Sequence, residues 1–275
     1  MKLTLMYITN NPEVAIIAQR HGVDRIWIDL ETLGKEERQA GMNTVKSKHS
    51  IEDIKIIAPF LNASQMLVRV NPWNENSSAE IDAVIEAGAE IIMLPMWKSV
   101  AEVASFVRAV NGRVKTTLLL ETKEAVQCLD EVLKLQGVDE IHIGLNDLHL
   151  SYGYTFMFEL LADGTVEKLC NKIRKAGLPY GFGGIARIGE GALPAEKVIM
   201  EHYRLGSTRA ILSRSFCNAE EMSDLKEIDA LFRENMQSLR KFEDYAMNTS
   251  IEEYKLNKNE IEKCVATIVN AKRGK

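Results

Sequence analysis

Two acidic residues follow two consecutive apolar segments that have the composition of buried strands. Glu121 comes directly after Thr116–Leu120, and Asp147 lies shortly after Ile141–Ile143, beyond Gly144. Carboxylate oxygens are the ligands that hard divalent cations prefer. If the two segments are neighbouring parallel strands, their carboxyl ends meet at one edge of the sheet. The sequence therefore predicts that Glu121 and Asp147 hold one divalent cation between them.

A charged residue lies inside another apolar segment. Arg69 is flanked by Val68 and Val70, and a buried arginine requires an anionic partner. Asp29 and Glu31 end the apolar segment before it. We therefore predict a polar face that brings these acids and this arginine together.

Each of these positions also has a simpler structural interpretation. Asp147 could be the N-cap of the following helix, whereas Glu121 is a poor cap and Thr122 can take that role. Four more residues at or near predicted strands could be solvated loop charges or a core histidine: Lys98, Arg187, Arg214 and His142.

The elements that must position these residues alternate between strand and helix. The predicted strands are Leu3–Ile8, Ile26–Leu30, Met66–Val70, Ile91–Leu94, Val114–Leu120, Ile141–Ile143, Tyr180–Gly183 and Arg209–Leu212. Helical periodicity separates them. Asn11 followed by Pro12 predicts one helix start, and Ser77 to Glu80 and Ser99 to Glu102 have the spacing of capping boxes.

A glycine ends nearly every predicted helix, as expected for the left-handed C-terminal cap. These glycines are Gly22, Gly88, Gly112, Gly137, Gly177 and Gly206. Strands that are apolar on both faces are typical of parallel sheets covered by helices, and about eight such units in roughly 250 residues predict a (β/α)8 TIM barrel. An open doubly wound sheet is the alternative, but it predicts a glycine-rich phosphate loop after an early strand. Thr9–Pro12 follows the first strand instead.

The pattern divides the chain at residue 216. Residues 1–216 are predicted to form the catalytic barrel, and residues 217–275 to supply the final barrel helix and a tail that packs in a homo-oligomer. Helices are expected at Ala219–Tyr245 and Ile251–Ala271. The polar connection Glu31–Ser50 is longer than a barrel loop requires, and such connections are usually functional or mobile.

Composition excludes several classes of protein. The 275 residues carry a net charge of −5 and no basic block, which argues against a nucleic-acid or anionic-membrane partner. No apolar run has the length of a membrane span or a signal peptide. The four cysteines are scattered, which favours reduced thiols in a cytoplasmic protein.

Five short motifs in order along the chain resemble the HpcH/HpaI aldolase and citrate lyase β-subunit family. The motifs are Asp29-Leu30-Glu31, Val68-Arg69-Val70-Asn71, Met93-Leu94-Pro95, Glu121, and Gly144-Leu145-Asn146-Asp147-Leu148 with Gly153. The resemblance runs from about Met6 to Phe216. It implies a (β/α)8 barrel of the phosphoenolpyruvate/pyruvate type that makes or breaks carbon–carbon bonds beside a 2-oxo acid or an acyl-CoA thioester.

The resemblance also implies roles for individual residues. Glu121 and Asp147 match the residues that bind a divalent metal, usually Mg²⁺ or Mn²⁺, and Arg69 matches the arginine that contacts the keto or enolate oxygen. Asp29 and Glu31 would organise water or protons. Substrate-binding positions are expected at Gly144, Asn146 and Arg214, with Arg187 as a further candidate for a distal anionic group.

One position departs from the family pattern. The aldolase branch carries a histidine directly after the glutamate that matches Glu31, and this chain has Thr32 there. The general base is therefore a water oriented by Asp29 or Glu31, or else His49. We expect a metal-dependent lyase acting on a small oxo acid. The alternatives are an acyl-CoA lyase and a barrel that binds an oxo acid without turnover.

Overall fold

Eight parallel strands close into a barrel in the computed structural model, which describes residues 1–34 and 49–273. Each strand pairs with its sequence neighbours, and the last pairs with the first. The strands are β1 (Thr4–Ile8), β2 (Arg25–Asp29), β3 (Gln65–Arg69), β4 (Ile91–Leu94), β5 (Lys115–Leu120), β6 (Glu140–Ile143), β7 (Tyr180–Ile185) and β8 (Arg209–Leu212). The predicted (β/α)8 barrel is confirmed.

Helices surround the barrel. They are α1 (Pro12–Arg20), α2 (Ile51–Ile57), α3 (Ser77–Ala87), α4 (Val100–Val110), α5 (Lys123–Val132), α6 (Leu145–Ser151), α7 (Glu159–Ala162), α8 (Thr165–Lys175), α9 (Ala195–Leu205), α10 (Leu225–Met247) and α11 (Ile251–Arg273). Short 3-10 turns lie at Ala58–Phe60 and Ala219–Glu221. No helix in the described ranges is both long enough and apolar enough to cross a membrane.

Two of the three predicted helix starts have the expected capping bonds. The Asn11 side chain accepts hydrogen bonds at the start of α1, and Ser99 and Glu102 form a full capping box at the start of α4. The capping box predicted for Ser77 and Glu80 is wrong. The Glu80 carboxylate instead accepts a hydrogen bond from the Asn71 side chain at 2.8 Å, so it braces the end of β3.

All six glycines have a positive φ, and five of them lie directly at a helix end as predicted. Gly137 does not cap its helix, because α5 ends at Val132 with Leu133 as the C-cap. The φ value is largest at Gly88, at 115°, and a Cβ there would lie 2.8 Å from the Cβ of Ala58. A side chain at this position would therefore suffer both backbone strain and a clash. Closely packed turns of this kind let each helix return onto the sheet.

The barrel interior is layered. Alternate strand residues pack outward against the helices in the large core. The inward set forms a separate apolar cluster in the middle of the barrel: Met6, Trp27, Leu67, Ile91, Met93 and Leu119. Charged side chains lie in the barrel above and below this cluster, so the apolar layer separates two polar ones.

The lower polar layer is an ion cluster at the amino ends of the strands. Glu140 binds Arg25, with one contact at 3.0 Å, and Arg209 at 2.7 Å. Thr117 donates a hydrogen bond to the same carboxylate at 2.7 Å. Burial alone would raise the Glu140 pKa, but the two arginines outweigh it and hold the pKa below its ordinary value. The carboxylate is therefore ionised and compensates two buried cations.

The C-terminal helices pack on their own barrel. Helix α10 lies against α1 and α9, and α11 lies against α7 and α9. Ile261, Val265 and Val269 form the buried side of α11. The division at residue 216 and the role of the tail in an oligomer stay predictions. The connection from Glu31 to Ser50 falls outside the described residues except for its two ends, 31–34 and 49–50.

Two histidines, His142 on β6 and His202 on α9, are completely buried. His142 on β6 contacts the carbonyl of Gly183 at 3.2 Å, which agrees with its interpretation as a core histidine. His202 on α9 stacks on Phe182 with ring centroids 3.9 Å apart. Burial lowers the pKa of His142 to about 4 and that of His202 to about 3.

We predict that replacing Glu140 with alanine lowers the free energy of unfolding by about 3–5 kcal/mol, because two buried arginines would lose their shared counter-ion. Urea denaturation measures the effect. The control is Asp130→Ala, which breaks an exposed pair with Lys172 and should cost less than about 1 kcal/mol. An equal loss of unfolding free energy in the two variants would contradict the role of Glu140 in a buried ion cluster.

We also predict that stability falls as the pH drops below about 6.5. The unfolded histidines bind protons there, whereas the folded ones stay neutral down to pH values of about 4 and 3. Each histidine should contribute a slope of about 1.4 kcal/mol per pH unit in its window. His142→Gln keeps a donor for Gly183 but cannot titrate. Unfolding at several pH values should show a shallower slope for this variant, and an unchanged slope would refute the assignment.

Candidate active site

The upper polar layer is built around Arg69 at the carboxyl end of β3. Asp29 ends the neighbouring strand β2 in register with it. The guanidinium donates two hydrogen bonds to the two oxygens of Asp29, both at 2.8 Å. A third nitrogen of Arg69 lies 3.2 Å from the Glu31 carboxylate. Arg69 was predicted to need an anionic partner, and its partners are the two acids at the end of β2.

Arg69 stays charged in this setting. Burial acts to lower its pKa, but the carboxylates of Asp29 and Glu31 outweigh burial and raise the pKa above the ordinary value. A bidentate pair also restrains a guanidinium against movement within its own plane. Arg69 is thus a permanent, oriented cation at the mouth of the barrel.

Glu121 lies buried at the end of β5, held by the backbone of the loop after β4. The Met96 N–H donates a hydrogen bond to a Glu121 oxygen at 3.0 Å. Met96 has φ of 54°, a left-handed conformation that is unfavourable for a residue with a side chain. The same loop is tied to β5 by Thr122, which donates to the Trp97 carbonyl at 2.8 Å. A strained backbone turn therefore aims one donor at this carboxylate.

Gly144 makes room for Glu121. A Cβ on Gly144 would lie 2.7 Å from a Glu121 oxygen and 2.9 Å from its Cβ. Gly144, which was predicted to bind substrate, thus lies against this acid. Asn146 and Asp147 follow in the first turn of α6, both half-buried. The predicted substrate roles of Gly144 and Asn146 stay predictions.

Negative charge accumulates around Glu121. Burial raises its pKa well above the ordinary value, and the nearby charges of Asp147 and Glu31 raise it further. Arg69 and the Met96 N–H act in the opposite direction without cancelling the rise. A divalent cation between Glu121 and Asp147 would relieve this repulsion, and the two carboxylates are ligands of the right chemistry.

The donor set at this site is small. Within residues 1–34 and 49–273, no group of three or more histidine, cysteine, aspartate or glutamate side chains is arranged to hold a metal ion. A cation held by Glu121 and Asp147 would keep most of its coordination positions for other oxygen ligands, as Mg²⁺ sites usually do. The residues present therefore fit a cation that also binds a small ligand.

Thr32 and His49 lie near the same rim. The Thr32 hydroxyl and backbone N–H both donate to the Asn71 side chain, at 3.2 and 2.9 Å. The Asp29 N–H donates to Nδ1 of His49 at 3.0 Å. Since Nδ1 accepts this bond, a neutral His49 carries its proton on Nε2. In this arrangement neither ring nitrogen of a neutral His49 is available to accept a proton from the substrate.

The remaining predicted cations are on the exposed part of the rim. Arg187 pairs with Glu190 at 2.8 Å, and both side chains are exposed to solvent. Arg214, after β8, is also exposed. Their predicted roles in binding a distal anionic group stay predictions.

Sequence reasoning missed the part that Met96 plays. Met96 contributes a backbone N–H whose direction depends on a left-handed φ. Among residue types only glycine commonly indicates that conformation, and methionine does not. The only signal was its place directly after a strand, next to Pro95.

A relative named 2-keto-3-deoxy-L-rhamnonate aldolase, from Shigella dysenteriae serotype 1 (strain Sd197), is 28% identical over 204 residues, which cover 63% of this chain and 71% of the relative. Relatives of the same name occur in Salmonella gallinarum (strain 287/91 / NCTC 13346) at 28% identity over 200 residues, covering 62% of this chain and 69% of the relative.

A solved structure with the same fold is an HpcH/HpaI aldolase/citrate lyase family protein from Burkholderia cenocepacia J2315. It has a TM-score of 0.61 and 15% identity, and the match covers 87% of this chain and 94% of that one. At this identity the likeness shows the fold alone.

The sequence pattern of one family matches most of the barrel. The match to HpcH/HpaI aldolase/citrate lyase extends over residues 2–178, which includes Asp29, Arg69, Glu121 and Asp147. The chain therefore belongs to the HpcH/HpaI aldolase/citrate lyase family and is a lyase of the aldolase type.

Proposed function

We propose that this lyase cleaves a small hydroxy-2-oxo acid with the help of a divalent cation, Mg²⁺ or Mn²⁺. The observation that carries the proposal is the arrangement of Glu121 beside the charge of Asp147 and near Arg69 at the carboxyl ends of the strands. Reactive groups of (β/α)8 enzymes are found at this end of the barrel.

Glu121 and Asp147 would hold the cation. Once bound, the cation supplies Lewis-acid polarisation of the substrate keto group. The Met96 N–H and the space at Gly144 support this role, because they fix the Glu121 carboxylate in one orientation. Repulsion from Asp147 and Glu31 favours a cation over an empty pair of acids.

Arg69 would stabilise the negative charge that develops on the keto oxygen. In the cleavage step the substrate hydroxyl on C4 loses its proton and the C3–C4 bond breaks. The electron pair moves onto the C2 oxygen, and an aldehyde leaves. The resulting enolate then takes a proton on C3 and becomes pyruvate. A guanidinium already oriented by Asp29 and Glu31 needs little reorganisation during this step.

We assign the proton transfer to a water oriented by Glu31. Both oxygens of Asp29 bind Arg69, so Asp29 orients the arginine. Nδ1 of His49 accepts the hydrogen bond from the Asp29 N–H and is therefore not available as the base. Thr32 carries no group that titrates near neutral pH.

The substrate class follows from the relatives. Their name, 2-keto-3-deoxy-L-rhamnonate aldolase, describes enzymes that act on a 2-keto-3-deoxy sugar acid. We propose a substrate of that class, with Arg214 and Arg187 near its distal end. We also propose that the enzyme works in the cytoplasm as a homo-oligomer, in line with four free cysteines.

We predict that Glu121→Gln and Asp147→Asn each weaken Mn²⁺ binding at least about tenfold, because each removes a charged ligand. Electron paramagnetic resonance of free Mn²⁺ during a titration measures the affinity. The matched control is Glu124→Gln, which changes an exposed acid three residues from Glu121 and should bind Mn²⁺ as the unaltered chain does. Unchanged affinity in the first two variants would refute the metal assignment.

We predict that the chain catalyses exchange of the pyruvate methyl protons with solvent deuterium when Mg²⁺ or Mn²⁺ is present. Arg69→Lys should slow this exchange by about 10²–10³, the usual cost of losing a donor to an oxyanion. Proton nuclear magnetic resonance follows the methyl signal. The control is Arg113→Lys, which alters an exposed pair with Asp82 and should leave the exchange rate unchanged. Absence of exchange with every divalent metal tested would refute the enolate mechanism.

A further inference from the structure

A tryptophan lies directly beneath the proposed catalytic arginine. Trp27 is on β2, two residues before Asp29, and belongs to the apolar layer inside the barrel. Its side chain is only 2% exposed. The guanidinium carbon of Arg69 lies over the indole ring, 5.2 Å from the ring centroid, which is within the range of a cation–π contact.

A tryptophan in this apolar layer carries a cost in folding free energy. Its Nε1–H is buried and has no hydrogen-bond partner among the residues that the structure describes. An unsatisfied buried donor opposes folding. The other members of the layer are aliphatic or methionine, which fill the barrel without such a donor. Filling space therefore does not by itself account for tryptophan at this position.

The contact with Trp27 completes the restraint on Arg69. Asp29 and Glu31 hold the guanidinium through hydrogen bonds at its edges. Such bonds resist movement within the guanidinium plane but restrain tilting less. A ring beneath the face of the guanidinium opposes tilting and attracts the cation in an environment with little water.

We propose that Trp27 is a positioning residue that holds the guanidinium plane of Arg69 at the tilt from which an N–H at its edge points toward the substrate oxygen. This inference depends on the proposed role of Arg69 in stabilising the enolate. Trp27 does not touch the substrate, and its effect on the reaction passes through the arginine. The π face is the required property, so phenylalanine should replace tryptophan better than an aliphatic residue does.

The test compares Trp27→Phe, Trp27→Leu and Trp27→Met by the rate of metal-dependent pyruvate proton exchange. We expect Trp27→Leu and Trp27→Met to lower kcat/KM by roughly 5- to 30-fold, the equivalent of losing one buried cation–π contact. The loss should fall mainly on kcat. Trp27→Phe should retain most of the activity. The methionine variant fills irregular space, so it keeps the comparison informative if the leucine variant folds poorly.

A second readout follows the arginine directly. In ¹⁵N-labelled protein, the Nε–H signal of Arg69 is identified by its loss in Arg69→Lys. A proton above an aromatic face is shielded, so this signal should move downfield in Trp27→Leu and stay near its original position in Trp27→Phe. A tryptophan that only filled space would lower the melting temperature without this selective shift.

Trp97 provides the matched control. It is also buried, at 1% exposure, and its Nε1–H also lacks a partner among the described residues. The described contacts include no cation over its ring. Trp97→Leu should therefore leave the Arg69 signal in place. In the Arg69→Lys background, Trp27→Leu should cause little further loss of exchange, because the two residues act as a unit.

The outcomes separate this inference from the proposed function. Suppose that Arg69→Lys abolishes exchange, whereas Trp27→Leu keeps the full exchange rate and an unshifted Arg69 Nε–H signal. The positioning role of Trp27 is then refuted, and the enolate mechanism stands. Equal losses in Trp27→Phe and Trp27→Leu would also refute it, because the aromatic face would then be irrelevant. If Arg69→Lys leaves exchange unchanged, the proposed function itself fails.

Discussion

Buried negative charge at one end of the barrel is the constraint on which the rest of the site depends. Asp29, Glu31, Glu121 and Asp147 carry four carboxylates, and Arg69 is the cation that the described contacts place among them. Asp29 and Glu31 are engaged by Arg69, whereas Glu121 is left with a raised pKa. An acid pair in this state binds either a proton or a metal ion, and chemistry at a keto group favours the metal ion.

An apolar layer inside the barrel separates these carboxylates from a second ionic layer. Arg25, Glu140 and Arg209 form a cluster at the opposite end with an excess of positive charge. The apolar residues between the two layers exclude water from the interior, and Trp27 is the member of that layer that also contacts the upper one. The same strands thus carry a structural ion cluster below and the proposed reactive cluster above.

Much of this arrangement was predictable because it depends on side-chain type at strand ends. Glu121, Asp147 and Arg69 could be recognised from charged residues beside or inside apolar segments, and five of the six glycines identified the helix ends that space those segments. The need of Arg69 for an anionic partner was also predictable, although the sequence did not identify that partner.

Other parts depend on geometry that residue type does not reveal. The donor from Met96 requires a left-handed backbone, and the closeness of Gly144 to Glu121 requires the twist of β5 and β6. The Ser77 capping box prediction failed because the Glu80 carboxylate binds Asn71, which lies before the helix at the end of β3 and outside the capping-box spacing. The contact of Trp27 with Arg69 depends on strand register, which brings Asp29 opposite Arg69.

We propose that Glu121 and Asp147 share one divalent cation beside Arg69. Anomalous diffraction from crystals grown with Mn²⁺ tests this proposal. The expected result is a peak about 2.1 Å from one oxygen of each carboxylate, the usual distance for Mg²⁺-type oxygen coordination. A peak that contacts neither carboxylate, at a Mn²⁺ concentration that supports pyruvate proton exchange, would contradict the claim.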